Sequence, residues 1–420
     1  MSEAVPANQP GGQPDGRSGR WFSAGVGGIG SASLLSDAGH EIPTALLPSL
    51  LTSTLGAPAA ALGIIEGVAD GLAGIARFAG GPLADDARRR RAVAVGGYTS
   101  TAVLSAAIGA ATSAVQVAVL RAGAWTARGL RVPSRNALLA DIAGSGRYGR
   151  AYGFERAMDN LGAVVGPVLA LGLVAAFSVR TAILLSVIPG LLAALAIIYA
   201  VRHTPRAQAR LRVPIRIRVR PVLRGPLRPV MVGIAAFEAG NVATTLLILR
   251  ATELLTPSRG ATAATGIAIG LYTVYNATAA LGSVPAGGVS DRIGRRGPVR
   301  VLLGGSLLFA IAYLAFAAGS SSVFWLAVPF VLAGLGIAAV ETAEHAAVAA
   351  HAPTELRGSA FGLLAATQSL GNLTASGIAG LLWTLTSPTV AFGYAAACMI
   401  AAALLLSKAR SDLPTPTRPS

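Results

Sequence analysis

Acidic side chains recur inside long apolar segments of this 420-residue chain. Asp37 with Glu41, and Glu66 with Asp70, are each spaced four residues apart, so each pair would share one face of a helix. Carboxylates crowded into a low dielectric hold protons more firmly than in water, which suits a group that takes up and releases protons. We therefore expect Asp37 or Glu41 to exchange a proton in function, with a purely structural ion pair as the alternative.

Four arginines on one later segment are candidate partners for these acids. Arg121, Arg128, Arg131 and Arg135 fall within about 80° of arc at 100° per residue of a helix. A guanidinium stays charged and grips carboxylate or phosphate through paired hydrogen bonds. Arg121 and Arg128 are therefore predicted to pair with the acids of the first segment or to bind an anionic small molecule. Arg131 and Arg135 could instead extend to a membrane surface.

The second half of the chain has its own acids within apolar segments, namely Glu238, Glu341 and Glu344. A charge at the centre of a membrane helix costs at least about 2.5 to 3.5 kcal/mol, so each acid needs a partner, water or a proton. With a shift of 209 residues, Arg135 aligns with Glu344, so the two halves place opposite charges at related positions. Two interpretations stay open, a cavity suited to a zwitterionic compound or a salt bridge across its mouth. His345 could join a proton relay or be a bystander.

The segments that carry these charges predict twelve membrane-spanning helices. The sequence is 53% hydrophobic and only 12% charged, whereas a water-soluble protein has about 25% charged residues. Each segment is long enough to cross a hydrocarbon core about 30 Å thick, and the lack of period-2 alternation excludes a membrane β-barrel. The segments lie at roughly 28–50, 57–80, 93–112, 115–139, 151–175, 181–201, 229–249, 262–285, 300–318, 323–348, 359–383 and 388–407.

An arginine-rich gap divides these segments into two sets of six. It contains nine arginines and no acidic residue, as expected of a segment that stays in the cytoplasm. The protein is expected in the inner (plasma) membrane of the cell. Both termini would lie on its cytoplasmic side, together with the loops 81–92, 140–150, 286–299 and 349–358. The predicted parts are a disordered tail at 1–22, a first bundle at 23–201, the linker at 202–228, a second bundle at 229–407 and a tail at 408–420.

Two sequence repeats support this division. The stretch that begins Gly149-Arg150-Ala151 recurs 209 residues later from Gly358, and Gly81-Pro82-Leu83-Ala84-Asp85 recurs 206 residues later from Gly287. Two offsets close to half the chain length indicate that the halves are related structural units.

The loop after the eighth segment resembles the cytoplasmic loop motif of the major facilitator superfamily. The motif has a glycine and an aspartate four residues apart, then Arg-x-Gly-Arg-Arg, and here these positions are Gly287, Asp291, Arg292, Gly294 and Arg296. The copy in the first half keeps Gly81, Asp85 and Arg89, but has Asp86 and Arg88 where the family prefers a basic residue and a glycine. Glycines permit close helix contact and the carboxylate can bind a helix N-terminus. The motif is expected to hold the inward gate closed, with simple anchoring by positive charge as the alternative.

The resemblance implies an all-α membrane protein with twelve transmembrane helices in two pseudo-symmetric six-helix bundles. It further implies a secondary transporter of a small molecule that works by alternating access. We expect proton coupling, and favour export because Gly162-x-x-x-Gly166-Pro167 resembles a motif associated with antiporters. The alternatives are a proton-coupled importer of a small anionic or zwitterionic metabolite and a non-transporting membrane sensor or receptor.

Other classes of protein find little support in the sequence. It has no nucleotide-binding glycine loop, no Cys/His metal spacing and no nucleophile with a paired histidine and acid, so we expect no enzyme, no catalytic residue, no metal and no cofactor. The net charge of +16 lies in loops and not on one face of a soluble domain, which disfavours a nucleic-acid partner. The expected partners are a small-molecule substrate, protons and the lipid bilayer, with the protein a monomer.

Overall fold

The first half of the chain forms six membrane crossings. The computed structural model describes residues 21–204, 215–216, 219–223, 225 and 227–411. Short caps define several helix ends, as at α4, where the Ser113 hydroxyl accepts a hydrogen bond from the Gln116 amide. The helices are α1 Ala24–Ser49, α2 Ala59–Asp85, α3 Ala87–Ala107, α4 Ala114–Ala143, α5 Tyr148–Ala176, and α6 Val179–Leu185 with α7 Val187–Arg202, which together form one crossing.

The second half repeats this arrangement after a short helix, α8 Val219–Val222. Its first crossing is discontinuous, because α9 ends at Glu238 and α10 begins at Thr244. The helices are α9 Leu227–Glu238, α10 Thr244–Arg259, α11 Ala261–Ile293, α12 Gly297–Ala318, α13 Val323–His351, α14 Arg357–Leu385 and α15 Pro388–Ser411. The predicted all-α fold of twelve crossings in two six-helix bundles is therefore confirmed.

The prediction for the seventh segment was too short. It was placed at 229–249, whereas the helical crossing runs from Leu227 to Arg259 and α11 starts directly afterwards. Arg250, Glu253 and Arg259 lower the hydropathy of its C-terminal end, which is helical although it is not apolar. Gly260 allows the sharp turn into α11, since its φ of 78° is in the left-handed region.

Parts of the predicted domain scheme lie outside the described residues. These are residues 1–20 of the N-terminal tail, most of the linker at 202–228, and residues 412–420. Helix α15 continues to Ser411, past the predicted start of the C-terminal tail.

The two halves pack against each other through two equivalent helix pairs, α2 with α14 and α5 with α11. Both pairs make their closest approach near the turns that join α2 to α3 and α11 to α12. We call this end of the molecule, which carries Arg88–Arg91 and Arg295–Arg296, the arginine-rich end. Gly149 and Gly287 lie so close there that a Cβ atom on either would overlap the backbone of the other. Glycine is therefore required for the contact.

By length and hydropathy alone, six segments of the described chain qualify as membrane spans, and one of them contains both α11 and α12. Helices α2 and α4 are not among them, although each has the length of a membrane crossing. Both carry several charged residues, such as Glu66 and Asp70 on α2 and Arg121 and Arg128 on α4, which lower their mean hydropathy.

Candidate functional site

Ion pairs join α4 to the acids of α1 and α2. The Arg128 guanidinium lies 3.3 Å from the Asp37 carboxylate, and the Arg121 guanidinium lies 2.9 Å from Glu66. Arg121 is buried and also donates a hydrogen bond to the Thr44 hydroxyl at 3.1 Å. The structure thus brings the predicted arginines and acids together, but it pairs Arg121 with the second segment and not with the first.

Trp125 is a central residue of this site that the sequence analysis missed. Its ring lies beneath the Arg121 guanidinium, with 3.4 Å between the guanidinium carbon and the ring centroid. Its indole N–H donates to the Asp70 carboxylate at 2.9 Å. Trp125 lies four residues after Arg121, so helical spacing was the signal that could have placed it on the same face.

His40 lies between the two acids of α1. One ring nitrogen is 3.3 Å from Asp37 and the other is 3.5 Å from Glu41. The histidine is buried, whereas the Glu41 side chain is 28% exposed. Asp37 and Glu41 therefore share a face, as predicted, and both contact the His40 ring, whose nitrogen near Asp37 is also hydrogen-bonded to the Ser36 carbonyl at 2.9 Å.

A second ion cluster connects α4 and α5. The Glu155 carboxylate is fully buried and receives the Arg135 guanidinium at 2.7 Å and the Arg156 guanidinium at 2.7 Å. Ser33 on α1 donates to the same carboxylate at 2.7 Å. Arg135 therefore turns inward and does not extend to the membrane surface. It pairs within its own half, so the predicted alignment of Arg135 with Glu344 is not a contact.

Arg131 is buried without a carboxylate within 4.0 Å in the part of the chain that the structure describes. Its guanidinium carbon lies 3.8 Å from the centroid of the Tyr98 ring, and it donates to the Ser36 hydroxyl at 2.7 Å. Two of its nitrogen atoms have no hydrogen-bond partner. Arg131 thus belongs to the interior of the first half and does not extend to the surface.

The second half supplies three acids and few partners for them. Glu341 approaches Arg156 of the first half at 3.9 Å. Glu344 accepts a hydrogen bond from the Gln368 amide at 2.8 Å, and Glu238 accepts one from the Asn241 amide at 3.0 Å. Within the described residues, the pair of Arg156 and Glu341 is therefore a salt bridge that joins the interiors of the two halves.

Two aspartates of the loop motifs cap helices of the opposite half. Asp291 accepts hydrogen bonds from the backbone amides of Gly149, at 2.8 Å, and Arg150, at 3.0 Å, at the start of α5. Asp85 accepts from the backbone amide of Ser359, at 2.8 Å, and from the Ser359 hydroxyl, near the start of α14. A carboxylate stabilises the exposed amides and the positive end of a helix. We call these contacts the interdomain caps.

The altered positions of the first motif leave its cap in place. Asp86 accepts hydrogen bonds from the Arg88 and Arg89 amides at 2.9 and 3.1 Å, so it caps α3 within the first half. Gly81 packs against the backbone of α14 at Gly358 and Gly362. In the second motif, Gly294 has a φ of 79° and ends α11, while Arg292 is exposed.

Arg90 was not singled out from the sequence, although it is the buried arginine of the first motif. It forms an ion pair with Asp141 at the end of α4. Arg357 of the second half approaches the other oxygen of Asp141 at 3.4 Å. Asp141 therefore bridges the two halves at the arginine-rich end, beside the interdomain caps.

The halves separate toward the opposite end of the molecule. Gly74 and Gly81 of α2 contact α14, whereas Gly63, Gly67 and Gly71, on the same face, have no described atom within 4 Å of a Cβ position. The interior is thus closed at the arginine-rich end and opens toward the other. No group of three or more His, Cys, Asp or Glu side chains arranged to hold a metal ion was found within the described ranges.

Twelve crossings in two repeated halves, with ion-paired charges between them and contact at one end, are the architecture of a membrane carrier. The sequence profile of the Major Facilitator Superfamily matches residues 29–271 and 230–420. The chain belongs to this superfamily, which confirms the resemblance found in the loop motifs.

Relatives and solved structures agree with this assignment. An uncharacterised MFS-type transporter of Methanocaldococcus jannaschii is 28% identical over 92% of this chain and 95% of the relative. An uncharacterised protein of Mycobacterium tuberculosis is 29% identical over 84% of this chain and 85% of its own.

Among solved structures, the human organic anion transporter MFSD10 has a TM-score of 0.68 at 19% identity, covering 94% of this chain and 100% of the other. A bacterial homologue of the iron transporter ferroportin in an outward-facing state has a TM-score of 0.70 at 16% identity, covering 93% and 100%. These likenesses show the fold.

Proposed function

We propose that this protein is a proton-coupled secondary transporter that exports a small molecule by alternating access. The observation that carries the proposal is the asymmetry of the contacts between the halves. The interdomain caps and Asp141 join the halves at the arginine-rich end, while the glycine face of α2 stands free at the other end. Such an arrangement can open alternately to each side when the halves rock about the interior site.

We further propose that the arginine-rich end faces the cytoplasm of an inner (plasma) membrane, with both termini on that side and the bundles divided at 202–228. The excess of arginine in the loops of this end supports the orientation, because positively charged loops are retained on the cytoplasmic side. In that orientation the conformation described here is open to the outside of the cell. We propose that the protein acts as a monomer.

Contacts of α5 support proton-coupled export. Gly162 and Gly166, from the segment that resembles the antiporter motif, pack directly against the Cβ atoms of Asp37 and Glu41. This close packing fixes the distance between α5 and the two acids that are predicted to titrate, so protonation at α1 can alter the packing of α5. A proton bound from outside would then favour one state of the carrier and its release inside the other.

A second candidate is import of a small anionic or zwitterionic metabolite. It is favoured by Arg128, whose side chain is 24% exposed and whose guanidinium can still bind a carboxylate or phosphate. The direction of flux against an imposed pH gradient separates the two candidates.

The test is transport by the full chain in proteoliposomes. Compounds to which a deletion strain becomes sensitive are loaded, and flux is followed across an inward or outward pH gradient. We expect efflux driven by proton entry, and its loss in Asp37→Asn and Glu41→Gln with membrane insertion unchanged. Equal flux with and without a pH gradient in the wild type would exclude proton coupling, and normal gradient-driven flux in both variants would remove these two acids from the mechanism.

A further inference from the structure

We propose that Glu238 and Glu344, deep in the second half, form a second pair of acids that carries a proton, in addition to Asp37 and Glu41 of the first half. The inference rests on the proposed proton coupling, and it places a further proton in the half that the sequence did not favour. Its basis is that Asp37, Glu66 and Glu155 are held by arginines of the first half, whereas this pair has amide partners alone among the described residues.

The surroundings of Glu344 suit a neutral carboxylic acid better than a charged carboxylate. Its side chain has no exposed surface. One carboxyl oxygen accepts a hydrogen bond from Gln368 at 2.8 Å, and the other has no hydrogen-bond partner. An ionised carboxylate without a counter-ion in such a place would cost several kcal/mol. A bound proton removes the charge, and therefore removes most of this cost.

Glu238 is placed at a helix end that disfavours a negative charge. It is 3% exposed and is the last residue of α9, where the helix breaks before α10. The exposed carbonyls at the C-terminal end of a helix create a negative potential, which opposes a carboxylate and favours the neutral acid. The amide of Asn241, from the non-helical stretch, donates the hydrogen bond to its side chain.

Helix α14 holds the two acids together. Gln368 donates to Glu344, and Gly371, one turn later, packs against the Cβ atom of Glu238. The next residue, Asn372, donates to the backbone carbonyl of Asn241 at 3.3 Å. Both Gln368 and Asn241 are only partly buried. They therefore lie between the acids and the more accessible interior, where they can orient a proton that enters or leaves.

The ionisable groups around the pair do not neutralise it. Arg156, which approaches the neighbouring Glu341 at 3.9 Å, has its other ion pairs with Glu155 and Asp159 of the first half. The titratable groups that act electrostatically on the pair are Glu341 on α13, which acts on both acids, and Tyr313 on α12, which interacts with Glu238. None of the described basic groups lies within 4.0 Å of Glu238 or Glu344.

The same helix links the pair to the gate. Ser359, which is bound to Asp85 in the interdomain cap, precedes Gln368 on α14 by nine residues, or about 14 Å of helix. Opening the arginine-rich end breaks the cap and moves α14, and the Gln368 and Asn372 contacts move with it. In the transport cycle, a carboxylate of the pair takes up a proton from one side of the membrane and becomes a carboxylic acid. The acid then releases the same proton to the other side.

The test detects the proton itself and needs no substrate. The purified full chain in lipid is titrated, and the carbonyl stretch of protonated carboxyl groups is followed by infrared difference spectroscopy. In the wild type we expect this band to persist at neutral pH. Its intensity should fall by about half of the pair's contribution in Glu344→Gln or Glu238→Gln, and it should fall further in the double variant. Glu253→Gln is the matched control, since Glu253 is exposed on α10 and should leave the band unchanged.

A band that neither substitution changes would overturn the inference, even if transport in proteoliposomes follows the pH gradient. Transport that ignores the gradient in the wild type would instead exclude the proposed coupling. If the glutamine variants are not obtained as monodisperse protein, Gln368→Leu provides a second test. Loss of its hydrogen bond to Glu344 should raise the frequency of the band, and an unchanged frequency would count against Glu344.

Discussion

Asp85 and Ser359 are 274 residues apart in sequence, yet the aspartate accepts hydrogen bonds from both the backbone amide and the hydroxyl of the serine. Asp291 makes the equivalent contact with the Gly149 and Arg150 amides at the start of α5. Each half therefore caps a helix of the other at the same end of the molecule. The two contacts are related by the internal repeat and should open and close together.

Loss of the Asp85 cap should weaken the conformation described here. In an Asp85→Ala variant the equilibrium should shift by at least about tenfold toward the other state, because the cap has two hydrogen bonds and a single one to a charged group contributes about 1.5 kcal/mol. The measurement is labelling of Gly67→Cys by a membrane-impermeant thiol reagent in a Cys398→Ala background. Gly67 lies on the free face of α2, so labelling should fall as that face closes.

Asp86→Ala is the matched control for this shift. It removes an adjacent aspartate that caps α3 within the same half, so it should lower stability by about 1 kcal/mol and leave the labelling rate of Gly67→Cys unchanged. Equal labelling in Asp85→Ala and the wild type would show that the cap does not hold this state.

Asp291→Ala should slow the transport cycle without changing which compounds are carried. The aspartate lies near the C-terminal end of α11, where it binds the Gly149 and Arg150 amides at the arginine-rich end and not in the interior. Transport rates are compared across a compound panel in proteoliposomes, with each rate expressed relative to the wild type. A uniform decrease fits a role in gating, whereas a changed order of preference among the compounds would assign Asp291 to recognition.

Arg121 should contribute more to stability than Arg128, although both pair with an acid. Arg121 is buried between Glu66, Thr44 and Trp125, whereas the Arg128 side chain is 24% exposed. We expect Arg121→Met to destabilise by about 2–3 kcal/mol, less than a fully buried pair because Glu66 is 30% exposed. Thermal stability in detergent measures the loss.

Two comparisons make the Arg121 prediction specific. Arg128→Met should cost less than Arg121→Met, and Glu66→Gln added to Arg121→Met should recover part of the loss, since it removes the uncompensated charge. A double variant no more stable than the single one would show that packing on Trp125, and not the ion pair, dominates.

The crossings and the motif aspartates could be predicted from the sequence, whereas most ion pairs of the interior could not. Asp85 and Asp291 could be found because glycine spacing and internal repetition are local signals. The pairs Arg135 with Glu155 and Arg90 with Asp141 could not, because each depends on how two helices are placed beside one another. The break after Glu238 was also hidden, since the apolar run resumes soon after it at residues 246–249.

The close contact of Gly287 with Gly149 leads to the most stringent prediction. A methyl group at position 287 would overlap the Gly149 carbonyl, so Gly287→Ala should prevent α11 from reaching α5 and keep the arginine-rich end from closing. Transport should be lost while membrane insertion is retained, and labelling of Gly67→Cys should fall. Gly270→Ala on the same helix is the control, because no described atom lies within 4 Å of its Cβ position. The alanine there should keep transport within about twofold and stabilise the helix by up to about 1 kcal/mol. Wild-type transport by Gly287→Ala would mean that the two glycines do not need to meet during the cycle.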